Sequence, residues 1–550
     1  MKPNPCFSEL LVVVGLLTVG SLTFKFTPPI ASPARVLGSA VFSGLQDTRE
    51  LHQSALVDSP GLPLQQQGSG GSAGEVIDIG TTKQLFIDHN LVESLENARQ
   101  VLGKPVKYEM NPVLKPDRPW EHILLLGFGN VIYDSEERLF KMWYWNWTQP
   151  WGQLSVTICY ATSRDGVHWE KPILNLVSVD GSKANNVVFK AQGKTTIDSG
   201  NIVKDLHDPD PSRRYKLLCW WYTHDVENER PAKSGLLAAF SPDGVHWKEY
   251  ASNPVVDAKS LGIDDTHTLL GWDEKVQKYV AYMKPRVKDK PRVVGYSTSN
   301  DFIHWQKPTI VITPDALDPQ PTQFYKMPVI KYHNLYLGML YVYHQAGMGL
   351  PDTSGNVGDD TIDAQLAVSR NGITWDRPFR EPFIPVGSAG SFDSGMIMAS
   401  QPVIAGDEIL LYYGGFDRPH MALENHASIG LARLRLDGFV AVVTGERKGM
   451  LTTKPFRFRG RNLQVNVDAR EGEMMVEILD EKGTPQRGFR QQDCDRITAD
   501  GLRKTVSWKG NSDVGSLLGK VVRLRFHLRH TKLYSFQFTA DLDSPKNQKR

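Results

Sequence analysis

Short apolar runs separated by polar turns recur along most of this chain, and almost none carries the period of an amphipathic helix. Five pairs of runs stand out: NVIYDSEERLFKMWYWNW, NIVKDLHDPDPSRRYKLLCWWY, TLLGWDEKVQKYVAYM, PVIKYHNLYLGMLYVYH and PVIAGDEILLYYGGF. In each, an apolar stretch, a polar turn and a second stretch rich in Tyr, Trp, Leu and Val predict a β-hairpin. A second element follows each hairpin. It reads YATSRDGVHWEKP, AAFSPDGVHWKEY, GYSTSNDFIHWQKP, LAVSRNGITWDRP and, in degraded form, LARLRLDGFVAV.

The aromatic anchors Trp169, Trp247, Trp305, Trp375 and Phe439 stand 78, 58, 70 and 64 residues apart, too uneven for a tight solenoid. Hairpin, loop, third strand and short outer strand make a four-stranded blade. Such a sheet cannot bury both faces alone, so the pattern predicts five blades stacked around an axis. In the repeated turn, Asp or Asn bonds its own backbone, Gly takes a positive φ, and the Trp three residues on wedges between blades. We read the motif as a structural fastener, with no catalytic role for its Asp residues. The fold class is therefore all-β, a five-bladed β-propeller over 76–444. Alternating stretches such as NLQVNVDA, MMVEILDE and VVRLRFHLR predict a C-terminal β-sandwich over 445–541, with a solvated tail at 542–550.

Lys+Arg 63 against Asp+Glu 61 leaves no electrostatic footprint for nucleic acid. The apolar run Leu10–Phe24, with Lys2 before it and Ile30-Ala31-Ser32-Pro33-Ala34 after it, is too short to span a bilayer. It reads as a secretory signal within 1–34, so the expected location is secreted or periplasmic. The alternative is an uncleaved anchor, the chain's one expected membrane contact. QQQGSGGSAGE ends a flexible linker over 35–75. The four cysteines, Cys6, Cys159, Cys219 and Cys494, form no CxxC pair and suggest neither a zinc site nor a disulfide framework. Nothing in the chain fixes an oligomeric state.

In a propeller the first strand of each blade lines the channel, and residues at its start converge on one end of the axis, where a ligand pocket is expected. Those positions carry Trp120, Glu121 and His122 in blade one and Asp198 in blade two. Blade three brings Asp264, Asp265 and His267, blade four Gln323 and Tyr325, and blade five Asp393. Carboxylates crowded around an axis repel, which drives their pKa values apart and suits one acid and one base or nucleophile. Packing and Asx turns are the competing explanations for each carboxylate. The candidate catalytic residues are Glu121, Asp198, Asp264 and Asp265. The candidate substrate-binding residues are Trp120, His122, His267, Gln323, Tyr325 and Asp393. No short metal motif is present among His122, His267, His344 and His420, so no metal or other cofactor is expected.

The S-x-D-G-x-x-W turns and acidic strand starts resemble those of the five-bladed propeller glycosidase superfamily, which includes glycoside hydrolase families 32, 43 and 130. PWE, DGVHWEKP, DPDPSRRYK, FDSGMI, YYGGF and LTTKPF resemble secreted bacterial proteins labelled family 32 N-terminal-like. The resemblance implies a base or nucleophile from blade one, an orienting Asp from blade two and a general acid from blade three. By position these are Glu121, Asp198, and Asp264 or Asp265. The chain departs from the pattern: Asn-Asp-Pro-Asn-Gly and Arg-Asp-Pro are absent, and Asp-Asp stands where a Glu acid is usual. The expected function is an exported glycoside hydrolase acting on an oligo- or polysaccharide. One alternative is a non-catalytic glycan-binding propeller, with Trp120, Trp143, Trp145, Trp147 and Trp151 as stacking platforms. The other is a family 130-like phosphorylase, which wants clustered Arg and His that the sequence does not display. A sialidase reading fits less well, because no Arg triad is evident.

Overall fold

Each repeated turn closes on its own side chains. In a computed structural model of the chain, Asp165 Oδ1 accepts from the backbone N–H groups of Val167 and His168 at 2.8 Å, and Ser163 Oγ accepts from Gly166 N at 2.9 Å. The same bonds recur at Asp243, Asp301 and Asn371. Gly166, Gly244 and Gly372 have φ of +76°, +81° and +77°, the left-handed region the turn requires. The structure describes residues 76–540, apart from 123, 128–129, 148–155, 192–194, 226–229, 289, 346–359, 421 and 423–424. The expected signal or anchor, the linker and the tail lie outside the described residues.

The hairpins and turns assemble into five antiparallel blades. Blade one consists of Val131–Asp134, Leu139–Trp147, Val156–Ser163 and Val187–Lys190. Blade two runs from Thr195–Lys204 through Tyr215–Asp225 and Arg230–Ser241 to Lys248–Glu249. Blade three is Ile263–Asp273, Lys278–Pro285, Val294–Ser299 and Thr309–Ile312. Blade four begins with Thr322–Lys326 and Val329–Tyr332 and continues through Leu335–His344, Thr361–Ser369 and Trp375–Asp376. Blade five takes Met396–Ala399, Glu408–Phe416 and Ala427–Arg435, and its fourth strand is Val106–Lys107 from the other end of the described chain. That exchange closes the ring.

Here the structure corrects the expected boundaries. The residues after Phe439 were read as the outer part of the fifth repeat, but Val440–Val443 pairs with Arg99–Leu102 and Lys532–Thr539. Ile77–Gly80, Gln84–Leu85 and Val92–Glu96 likewise pair with strands beyond residue 448. The sandwich is thus built from both ends of the described chain. Its two sheets enclose their own core, including Phe86, Phe456, Phe526, Phe536 and Phe538. Asp437, fully buried at the junction, accepts from Tyr332 of blade four at 2.6 Å and from Lys83 and Ser535 of the sandwich at 2.9 and 2.7 Å.

Two hydrogen bonds rivet neighbouring blades together. The Gly carbonyl of a turn accepts from an aromatic side chain of the preceding blade: Trp143 to Gly244, Tyr282 to Gly372, and Tyr412 to Gly166, at 2.6–2.9 Å. The Asp at the end of an inner strand accepts from a Tyr of the next blade: Tyr215 to Asp134, Tyr279 to Asp205, and Tyr336 to Asp273, at 2.5–3.0 Å. The motif Trp rings complete the seam. Trp169 packs edge-on to Tyr412, and Trp375 to Tyr282, each at 5.7 Å. Trp247, Trp305 and Trp375 also donate back to a carbonyl of their own turn.

A Cβ at Gly244 would lie 2.6 Å from Trp143 Cζ2, on a residue whose φ is +81°. Gly244→Ala is therefore expected to lower stability by at least ~2 kcal/mol, a backbone cost plus a clash. Tyr279→Phe, which only removes the hydroxyl on Asp205, should cost about 1–2 kcal/mol. Denaturant unfolding of the two variants checks both the values and their order.

Candidate active site at the propeller mouth

The inner strands of blades two and three both lose register near their starts. Opposite Tyr215–Asp225, the pairing shifts between Ile197 and Gly200, and opposite Lys278–Pro285 it shifts between Ile263 and His267. Bulges of this kind re-aim side chains. The first presents Asp198 and the second presents Asp264 and Asp265. Gly200 permits the first bulge, since a Cβ there would stand 2.5 Å from that of Cys219. Ser199 Oγ donates to the Asp265 carbonyl at 2.8 Å and Thr266 Oγ to that of Tyr325 at 2.9 Å, tying blades two, three and four together at this level. Further along the inner strands, Gln401 of blade five donates to the carbonyls of Leu269 and Val329, at 3.0 and 2.8 Å, which joins blade five to blades three and four.

The surroundings of two carboxylates here drive their pKa values in opposite directions. Burial, and then the charge of Asp265, push Asp198 up to about 8. Loss of hydration works against ionised Asp265, although its side chain is still 37% exposed, and Lys284 and Arg292 hold its carboxyl below the usual range. The Lys284 amine bonds Asp265 directly and stands 3.7 Å from Asp264, which Arg286 contacts at 3.2 Å. Burial lowers Lys326 to about 7 against the pull of Asp198 and Asp265. Burial, helped by Lys326, lowers His267 to about 3, so its ring is neutral. His267 Nε2–H donates to the Leu218 carbonyl at 2.9 Å, which leaves buried Nδ1 as a bare acceptor. His267, Lys284, Tyr325 and Lys326 help to line a recess of about 10 Å³, room for one water.

The other cations and rings come from blades three to five. Lys284 lies 5.0 Å from the centre of the Tyr325 ring, and Arg292 lies 5.4 Å from the centres of both Tyr325 and Tyr343. Arg292 donates to Gln323 Oε1 at 2.7 Å. His420, lowered to about 4 by burial and then by Arg292, sits 3.2 Å from the Tyr325 hydroxyl. Burial, then Asp198 and Asp265, raise the Tyr222 hydroxyl.

The structure therefore brings together Asp198, Asp264, Asp265, His267, Gln323 and Tyr325 of the expected residues. It does not join the blade one set or Asp393 to them. Glu121 is fully buried, and its oxygens take the Tyr144 hydroxyl at 2.6 Å, Lys171 at 2.7 Å and the N–H groups of Asp117 and Arg118 at 3.0 and 3.1 Å. Its lone pairs are spent on folding blade one, so it is no base. Trp120 donates to Asn186 at 2.8 Å, and the His122 backbone to Asn146 at 2.9 Å. Asp393 is buried against Lys107 at 2.6 Å and Tyr413 at 3.0 Å, so it clamps the ring-closing strand. Trp143, Trp145 and Trp147 are buried in the core and offer no stacking platform; Trp151 lies outside the described residues. Sequence reasoning missed Tyr222, Lys284, Arg286, Arg292 and Lys326. For Lys284, Arg286 and Lys326 the one visible signal is a base at the end of an apolar strand, as in YMKPR and FYKM. Among the described residues no group of three or more His, Cys, Asp or Glu side chains is arranged to hold a metal ion.

Residues 131–318 match the family model for the glycosyl hydrolases family 32 N-terminal domain. The match spans blades one to three and so contains both bulges. That part of the chain is similar to a glycoside hydrolase propeller domain. The chain is also similar to the uncharacterized protein Rv1502 of Mycobacterium tuberculosis, 24% identical over 247 residues, 41% of this chain and 73% of that protein. A glycosyl hydrolase from Bacteroides ovatus aligns with 61% of this chain and 94% of its own, at 15% identity and a TM-score of 0.44. The β-1,2-mannobiose phosphorylase from Listeria innocua aligns with 61% and 97%, at 11% identity and a TM-score of 0.42.

The contrast between Asp393 and Asp198 can be measured by unfolding. Asp393→Ala strands Lys107 and should cost about 3 kcal/mol. Asp198→Asn mimics the protonated carboxyl and removes a repulsive neighbour of Asp265, so at neutral pH no loss of stability is expected.

Proposed function

We propose that this protein cleaves glycosidic bonds at the propeller mouth, with Asp198 as general acid and Asp265 as its ionised partner. The observation that carries the reading is the split ionisation of two neighbouring carboxylates. Asp198, pushed up to about 8, holds its proton at neutral pH, while Asp265 is kept ionised by Lys284. Pairs whose environments drive their pKa values apart are how glycosidic cleavage obtains acid and base from one residue type. Asp198 gives its proton to the glycosidic oxygen as the bond to the anomeric carbon lengthens. The Asp265 carboxylate faces the positive charge growing on the sugar and either takes a proton from the attacking water or attacks the anomeric carbon itself. Lys284 holds that carboxylate in place. These roles differ from those the resemblance implied, because Glu121 is consumed in blade one and Asp265 is already bonded to an amine.

The gathering of Lys284, Arg286, Arg292 and Lys326 around the mouth favours a second reading, in which phosphate replaces water as the acceptor. Release of a sugar phosphate instead of a free reducing end separates the two. We further propose that the protein is exported, on the strength of the apolar run Leu10–Phe24 and the small residues that follow it.

A polysaccharide panel with reducing-end detection tests the main reading. Asp198→Asn is expected to reduce turnover at least ~100-fold, the range for removing a positioned acid, while sugar binding persists. The sign of the pH dependence follows from the acid: the rate needs protonated Asp198, so kcat/KM should fall as pH rises through about 8. Equal loss of binding and turnover in Asp198→Asn, or a rate that climbs steadily above that pH, contradicts the assignment.

A further inference from the structure

The cations at the mouth are not all alike. Lys284 is bonded to Asp265 and Arg286 to Asp264. Arg292 instead holds a neutral partner, Gln323 Oε1 at 2.7 Å, and no carboxylate of the described residues forms an ion pair with it. Its guanidinium lies beside the edge-packed pair Tyr325 and Tyr343, 5.4 Å from the centre of each ring. Gln323 is itself held by Gln345, through Nε2 to Oε1 at 2.8 Å. His420 closes the group, edge-on to Tyr325 at 5.2 Å and tilted against Tyr343 at 5.3 Å, its buried Nδ1 without a partner among the described residues. Asp360 takes the Tyr343 hydroxyl on the far side.

A half-buried guanidinium lies against two aromatic rings, is oriented by one neutral bond and has its remaining N–H donors directed to no carboxylate of the described residues. Its planar fork matches a bidentate oxyanion. It is also electrically close to the reacting pair, since it helps to lower Asp265. We propose that Arg292, with Gln323 and His420 beside it, binds an oxyanion carried by the glycan itself, so that the substrate is an acidic glycan bearing a uronate carboxylate or a sulfate ester next to the scissile bond. This rests on the reading of the mouth as a glycan site. It deepens that reading by naming the substrate class.

The test is a binding measurement on the full-length protein that does not depend on turnover. Asp198→Asn serves as an inert trap, titrated by calorimetry with oligogalacturonates, sulfated oligosaccharides, neutral oligosaccharides of matched length, and inorganic phosphate. Acidic oligosaccharides should bind, and Arg292→Gln in the trap should weaken them about ten- to hundredfold, as expected for losing a charge-assisted fork. Arg292→Lys keeps the charge without the fork and should recover only part of the loss. Neutral oligosaccharides should be unaffected by either change. Thermal unfolding of each variant shows that it is folded. The proposal is overturned if neutral sugars bind as well as acidic ones, if Arg292→Gln leaves acidic sugars unchanged, or if inorganic phosphate alone binds through Arg292 while no acidic sugar does. Acidic sugars that bind through Arg292 without wild-type turnover would support this inference and sink the catalytic reading.

Discussion

Two carboxylates brought together at the propeller mouth cannot both stay charged without enough cations beside them. The arrangement of the mouth follows from that constraint. Asp265 has Lys284 in direct contact and Arg292 nearby, and it ionises. Asp198 has only more distant amines and the repulsion of Asp265, and it keeps its proton. Lys326 and His267 answer the same crowding by tending to neutrality, which spares the site further unpaired charge. Chemistry that needs an acid and a base side by side thus comes from electrostatic competition, with no unusual residue types.

The frame holds the two carboxylates close against their repulsion. Each bulge belongs to an inner strand, each inner strand is flanked by the next blade, and the blades are riveted at the turn glycines and at the Asp–Tyr contacts. Tyr215 on Asp134, Tyr279 on Asp205 and Tyr336 on Asp273 repeat one solution along three successive seams. The last seam uses a different device. Val106–Lys107 joins blade five, and Lys107 pairs with buried Asp393. Beside the ring, Asp437 locks a blade four tyrosine to sandwich side chains. The site inherits its rigidity from these distant contacts.

Much of the fold was legible because its repeat is made locally. Ser with Asp or Asn, and Gly in three of the four, build the turn from bonds within six residues, so four copies and a degraded fifth show in the sequence. Ring closure was not legible: a two-residue strand at Val106–Lys107 carries no pattern, and its partner lies more than 300 residues away. For the same reason the strands at 77–102, apolar and alternating like any others, could not be assigned to the sandwich. At the site, acidic residues at strand starts were visible but their partners were not. Glu121 and Asp198 look alike in sequence. What separates them is Lys171, 50 residues on, which neutralises the first, and Asp265, 67 residues on, which repels the second. Lys284 and Lys326, each ending an apolar strand, read as ordinary solvated ends until the blades bring them together.

The proton on Asp198 is the point at which fold and chemistry meet. A difference proton titration of the folded wild-type protein against Asp198→Asn measures it without any substrate. One additional proton released with a midpoint at about 8, moving to lower pH when Asp265→Asn is introduced into both proteins, is the predicted result. Release of that proton near pH ~4, the ordinary value for an aspartic acid, with no response to Asp265→Asn, would contradict it.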